Sequence, residues 1–106
     1  MIHNRYEVAQ EDMEGSNLFL EYVSKKCDAL QMALLLAKEP MEKVGCMHKA
    51  VVVDLMSSKR HKLKWTFKAQ EGMITLTKLC DGGKISNSVA HIISLPIEEF
   101  AIPQGY

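Results

Sequence analysis

The stretch from Lys62 to Leu79, KLKWTFKAQEGMITLTKL, constrains the fold more tightly than any other part of the chain. Leu63, Trp65 and Phe67 alternate with Lys62, Lys64, Thr66 and Lys68, the period of two with which a strand buries one face and wets the other. Beyond Gly72 the alternation resumes with Ile74 and Leu76. A four-residue loop, Ala69 to Gly72, sets Phe67 against Ile74 and Trp65 against Leu76. A three-residue loop would carry Ile74 and Leu76 to the lysine side, so the apolar phase selects the four-residue loop. An antiparallel hairpin with one apolar face follows.

The residues before this hairpin read in two ways. Met41, Val44, His48, Val51 and Leu55 keep helical spacing, but Gly45 weakens a helix and the β-branched run Val51-Val52-Val53 suits a strand. Pairing separates the two. With Met56 opposite Lys62 across a loop at SSKRH, Leu55 faces Leu63, Val53 faces Trp65 and Val51 faces Phe67 on one side. Asp54 then meets Lys64 on the other, and this joint agreement predicts a strand over about 48–56. DGGK at 81–84 is a turn signal. Residues 85–95 read as a fourth strand with Val89, His91, Ile93 and Leu95 on one face, a helix through SNSVAHIISL being the alternative. Pro96 opens a short turn, PIEEF, and AIPQGY is a tail.

The N-terminal half has helical periodicity. Leu20, Val23, Cys27, Leu30, Leu34, Ala37 and Met41 fall at alternating spacings of three and four, an apolar stripe with Ser16 available as its cap. Glu21, Ser24, Lys25, Asp28, Gln31 and Lys38 lie opposite. The stripe widens through Met32, Leu35 and Leu36, which calls for a second cover, and these three residues are the candidate oligomer interface. Pro40 stops the helix or starts another turn. Residues 1–15 read as a lightly packed arm. The expected architecture is α+β: a long N-terminal amphipathic helix, 16–39, packed on a four-stranded antiparallel β-meander over 48–95. A short turn and tail occupy 96–106, and the 106 residues form a single domain.

Charge and chemistry narrow the function classes. Thirteen basic residues balance thirteen acidic ones, so no global field favours a polyanion. The halves differ: six Lys/Arg against nine Asp/Glu in residues 1–54 leave −3, and seven against four in 55–106 leave +3. Arg60, His61, Lys62, Lys64 and Lys68 are the candidate anion or nucleic-acid contacts. Single-strand binders stack bases on outward aromatics, whereas Trp65 and Phe67 are expected to point inward, so this lysine–threonine face is most simply the wet side of a sheet.

Cys46-Met47-His48 brings two potential metal ligands together, short of the three or four a site needs, and His3, His48, His61 and His91 show no paired spacing. No metal and no cofactor is expected. No phosphate loop, nucleophile elbow or paired-carboxylate signature appears, which leans away from an enzyme and leaves catalytic residues unassigned. The longest unbroken apolar run, Met32 to Ala37, is too short to cross a bilayer; the N-terminus has no signal-peptide layout, and three widely spaced cysteines suit a reducing cytoplasm. The expectation is a small non-catalytic binding or regulatory module, acting as a homo-oligomer on a protein or small-ligand partner. A nucleic-acid or nucleotide-binding protein using residues 59–68 is the alternative.

Overall fold

The computed structural model describes residues 4–56, 62–81 and 89–106; at 62, 81, 89 and 90 it describes the backbone. The elements in chain order are β1 (Tyr6–Glu11), β2 (Asn17–Val23), α1 (Lys26–Val44), β3 (Lys49–Asp54), β4 (Lys62–Gln70), β5 (Met73–Asp81) and β6 (Val89–Pro96), with a short 3-10 turn at Ile97–Glu99. The strands form one antiparallel sheet in the order β2-β1-β3-β4-β5-β6. This is an α+β structure, but not the expected long N-terminal helix on a four-stranded meander. Six strands replace four, and a helix of 19 residues lies between the second and the third.

The N-terminal residues already depart from the expected arm. The supposed arm contains β1, which sits between β2 and β3 and buries Val8 completely. Ser16 caps no helix; it closes a hairpin in which Asp12 Oδ1 accepts bonds from the amides of Glu14 and Ser16, both at 2.9 Å. Leu20 and Val23 thus belong to a strand, and the periodic stripe ran through a strand and a helix without a break in phase.

Within α1 the buried residues are Ala29, Leu30, Ala33 and Ala37, while Cys27, placed on the stripe by its spacing, is exposed. The face against the sheet is centred on methyl groups, and the larger leucines flank it. Small side chains let the helix backbone approach the sheet closely.

Nor does the helix end at Pro40; it continues to Val44. A proline at 40 has no N–H to give the carbonyl of Leu36, four residues back. That carbonyl instead accepts a bond from Gln10 Nε2 on β1 at 2.8 Å. Gly45 then ends the helix in the left-handed conformation at φ 69°, its amide bonding Met41 O while that of Cys46 bonds Pro40 O.

The β3–β4 register is one residue away from the expected one: Val52 lies opposite Trp65, Ala50 opposite Phe67 and Val53 opposite Lys64. A slip of one residue turns every side chain of β3 to the other face. Three consecutive valines satisfy either phase, so the deciding partners lie elsewhere. Val8 of β1 pairs with Val52, and Arg5 grips Asp54 with its Nε and Nη2, each at 2.8 Å from a carboxylate oxygen. Asp54 is consequently buried on the helix side instead of meeting Lys64 outside.

The β4–β5 loop is shorter than expected. Glu71 (φ 54°) and Gly72 (φ 77°) make a two-residue turn, and Ala69 pairs with Ile74. Two successive positive φ values are the type I′ geometry, whose twist matches that of the flanking strands. Because the loop changed by two residues, the apolar faces stand as expected while the partners move: Phe67 faces Leu76 and Trp65 faces Lys78.

The core lies between the sheet and α1, with Trp65, Phe67, Ile74, Leu76, Val8 and Val52 all fully buried. Burying a side chain of this size is worth roughly 1.5–3 kcal/mol. Beside α1, which also packs on β4, the C-terminal tail adds cover. Ile97 enters the core, Phe100 meets Phe67 edge to face at 6.3 Å, and the Trp65 indole N–H donates to the Tyr106 carbonyl at 2.9 Å. Lys78, on this inward side, rests its ammonium near the Trp65 and Tyr106 rings at 6.0 and 5.6 Å from their centroids.

Candidate interaction surface

The strand order leaves β2 and β6 at the edges, and the two differ in how much large apolar surface they show. In β2, Leu18, Phe19, Leu20 and Tyr22 are 38–49% exposed. Register assigns their sides: Phe19 lies opposite Gln10 on the helix face, whereas Leu20 and Tyr22 lie opposite Ala9 and Glu7 on the other. The residues of β2 are thus apolar toward both faces, the composition of a strand with neighbours on each side. In β6, Ile92 and Leu95 are the exposed large apolar residues of described side chain.

Beside β2, on the helix side, runs a groove of about 360 Å³ lined by Gln10, Leu35, Leu36, Glu39, Pro40, Lys43 and Val44. Of the three residues expected at an oligomer interface, Leu35 is half exposed and lines this groove, and Leu36 lines it while half buried. Met32 packs against the core and is not on the groove. Sequence spacing did not reveal β2, although Phe19, Tyr22 and Val23 are strand formers directly after a turn containing Gly15.

The face of the sheet away from α1 carries no helix among the described residues. Across it runs the row Leu20, Ala9, Val51, Thr66, Thr77 and Ile92, flanked by Glu11, Lys49, Lys68, Thr75 and Ser94 in the next row. Lys64 and Lys68 are on this face, as the alternation of β4 predicts, and no ion pair among the described residues holds either. Lys49 and Lys68 stand directly opposite one another, with Glu11 at 3.7 Å offsetting Lys49. Lys62 begins β4, and Arg60 and His61, together with the expected turn at DGGK and His3, lie outside the described residues or at their margin.

The remaining candidates are dispersed. His91 takes the helix-side register opposite Lys78, yet it is exposed. His48 Nδ1 is buried without a hydrogen-bond partner, in a recess shared with Asp12, Glu14, Cys46 and Met47. Among the described residues no three His, Cys, Asp or Glu side chains converge as a metal site requires. The described carboxylate with a shifted pKa is Asp54: the Arg5 hydrogen bonds hold it below the usual carboxylate range against the opposing effect of burial, with the Met56 amide helping. Its described cationic partner answers its charge, and the pair fastens the chain before β1 to the end of β3.

No described helix is long and apolar enough to cross a membrane. Compared with protein-family models, curated proteins and solved structures, the chain matches none.

Proposed function

We propose that this protein is a small non-catalytic binding module that works as a homo-oligomer and recognises a protein or a small ligand. The observation that carries the reading is β2, an edge strand with large apolar side chains exposed toward both faces of the sheet. An edge strand of this kind presents unpaired backbone donors and acceptors beside apolar surface, which is a template for another chain. The cytoplasm is the compartment we assign, supported by three unpaired thiols, of which Cys27 and Cys46 are exposed. Native mass spectrometry of the full chain tests the reading, because one spectrum reports both subunit number and any ligand retained. A strict monomer at tens of micromolar, carrying nothing, would refute it.

A second reading rests on a separate observation. Lys49 and Lys68 face each other across β3 and β4, with Thr75 and Ser94 continuing the row, and an anion seated there would relieve the repulsion between the ammonium groups. A nucleotide or nucleic-acid phosphate has the required charge. Titration with an oligonucleotide at low salt distinguishes this reading: affinity must fall steeply as salt rises and weaken on Lys68→Glu. An unchanged signal in that titration removes it.

A further inference from the structure

We infer that two copies of the chain join through β2, running antiparallel about a two-fold axis normal to the sheet, so that two six-stranded sheets become one of twelve. The inference rests on the homo-oligomer reading and specifies its seam. Three features of the strand lead to it.

First, β2 pairs with β1 alone, so its outward N–H and C=O groups have no ladder among the described strands. Second, two of the devices that blunt an edge occur in it, a register irregularity at Leu18 and one charge in the helix-face register, and the others do not. Asn17–Val23 contains no lysine, arginine or proline, and its single charge is Glu21. Third, the strand complements itself. A two-fold axis normal to the sheet keeps each face on its own side, so paired residues must share parity along the strand. Centring the axis on Leu20 sets Leu20 against its own mate and Glu21 against Phe19, in the regular stretch that follows the irregularity at Leu18. Shifting the centre by one position to Glu21 would oppose two carboxylates, which is destabilising. The Leu20 register avoids this and sets leucine against leucine on the face away from α1.

The occupant follows from that complementarity. A second copy brings the same strand, the same free donors and acceptors, and no opposed charge. Pairing of β2 with β6 would be heterologous instead: the two ends of the assembly would expose complementary edges, and it would keep growing. A strand of seven residues spans about 23 Å, so the seam lies near the small end of stable interfaces and the dimer is expected to dissociate on dilution.

Sedimentation velocity over a concentration series tests the seam on the full chain, with Leu20→Lys and Glu21→Gln as variants. Leu20 is half exposed at an edge, so the lysine is tolerable in the folded monomer but places two ammonium groups across the axis. The expected result is a wild-type monomer–dimer equilibrium, retained by Glu21→Gln and weakened at least tenfold in Leu20→Lys at an unchanged circular dichroism spectrum. A dimer equally strong in Leu20→Lys would overturn the seam while leaving the homo-oligomer reading standing. A wild-type monomer throughout would overturn both, and open-ended growth would replace the two-fold seam with head-to-tail pairing. Should Leu20→Lys fail to fold, hydrogen exchange on the wild type decides: amides of residues 17–23 must lose protection on dilution, and protection independent of concentration overturns the proposal.

Discussion

Replacing Gln10 with methionine tests the way this helix survives an internal proline. The substitution keeps the length and most of the packing of the side chain while deleting the Nε2 donor that reaches Leu36 O at 2.8 Å. Pro40 supplies no amide to that carbonyl, so the acceptor would lose the described donor that serves it. Stranding a buried acceptor costs about 1–3 kcal/mol, and because Gln10 and Leu36 are only part-buried the lower half of the range applies, about 1–2 kcal/mol.

The same substitution in a Pro40→Ala background has a different consequence. An alanine in place of the proline restores the helical N–H to Leu36 O, so Gln10→Met should then cost about 0.5 kcal/mol, and the coupling should be about 1 kcal/mol. Pro40→Ala alone should stabilise, since proline is about 3 kcal/mol less favourable than alanine inside a helix and part of that is already offset here by Gln10. Equilibrium urea unfolding of the four proteins, with a common slope, measures all of these quantities. Costs that agree within about 0.3 kcal/mol in the two backgrounds would show that the sheet amide does not substitute for the missing backbone donor.

Three further outcomes are expected. Asp54 titrates below its unfolded value, so its contribution to stability is present above the usual carboxylate range and is lost as pH falls through the depressed folded value. Asp54→Asn should therefore be less stable than wild type near neutrality and lose less on acidification, in thermal melts across the acid range; parallel pH dependences would contradict this. Glu71→Asn should stabilise by about 0.5–1 kcal/mol in urea titrations, because asparagine tolerates the positive φ of 54° better than glutamate and Asn-Gly is the preferred type I′ pair. Ala33→Leu, at a site of zero exposure against the sheet, should destabilise by about 1–3 kcal/mol through overpacking, measured by the same titration.

How far the letters reached depended on whether a residue's environment was set locally. The β4–β5 hairpin was legible because Leu63, Trp65, Phe67, Ile74 and Leu76 alternate with polar residues, and parity survives a loop that is two residues shorter than expected. The β3 register was not. Val51, Val52 and Val53 fit either phase, and the choice lies with Arg5 and Val8, at the far end of the chain's first half.

The helix stripe misled for another reason. Leucines dominate an apolar period, yet the buried face is centred on Ala29, Ala33 and Ala37, and the period continued by coincidence into Leu20 and Val23 of β2. Pro40 looked like a terminus because the donor that replaces its amide comes from β1, a strand concealed in the polar stretch before Gly15. Lys64 and Lys68 of β4 were placed correctly on the face away from α1. The apolar edge beside them was not seen, since being an edge is a property of strand order, which local pattern does not encode.

The methyl-lined contact between α1 and the sheet has a consequence for ligands. Where Ala29, Ala33 and Ala37 of the helix meet Ala50 and Ala69 of the strands, the two layers draw together and leave no berth for a guest molecule. A ligand therefore has to be met outside this contact, by side chains that the alanine-lined layer leaves free to change.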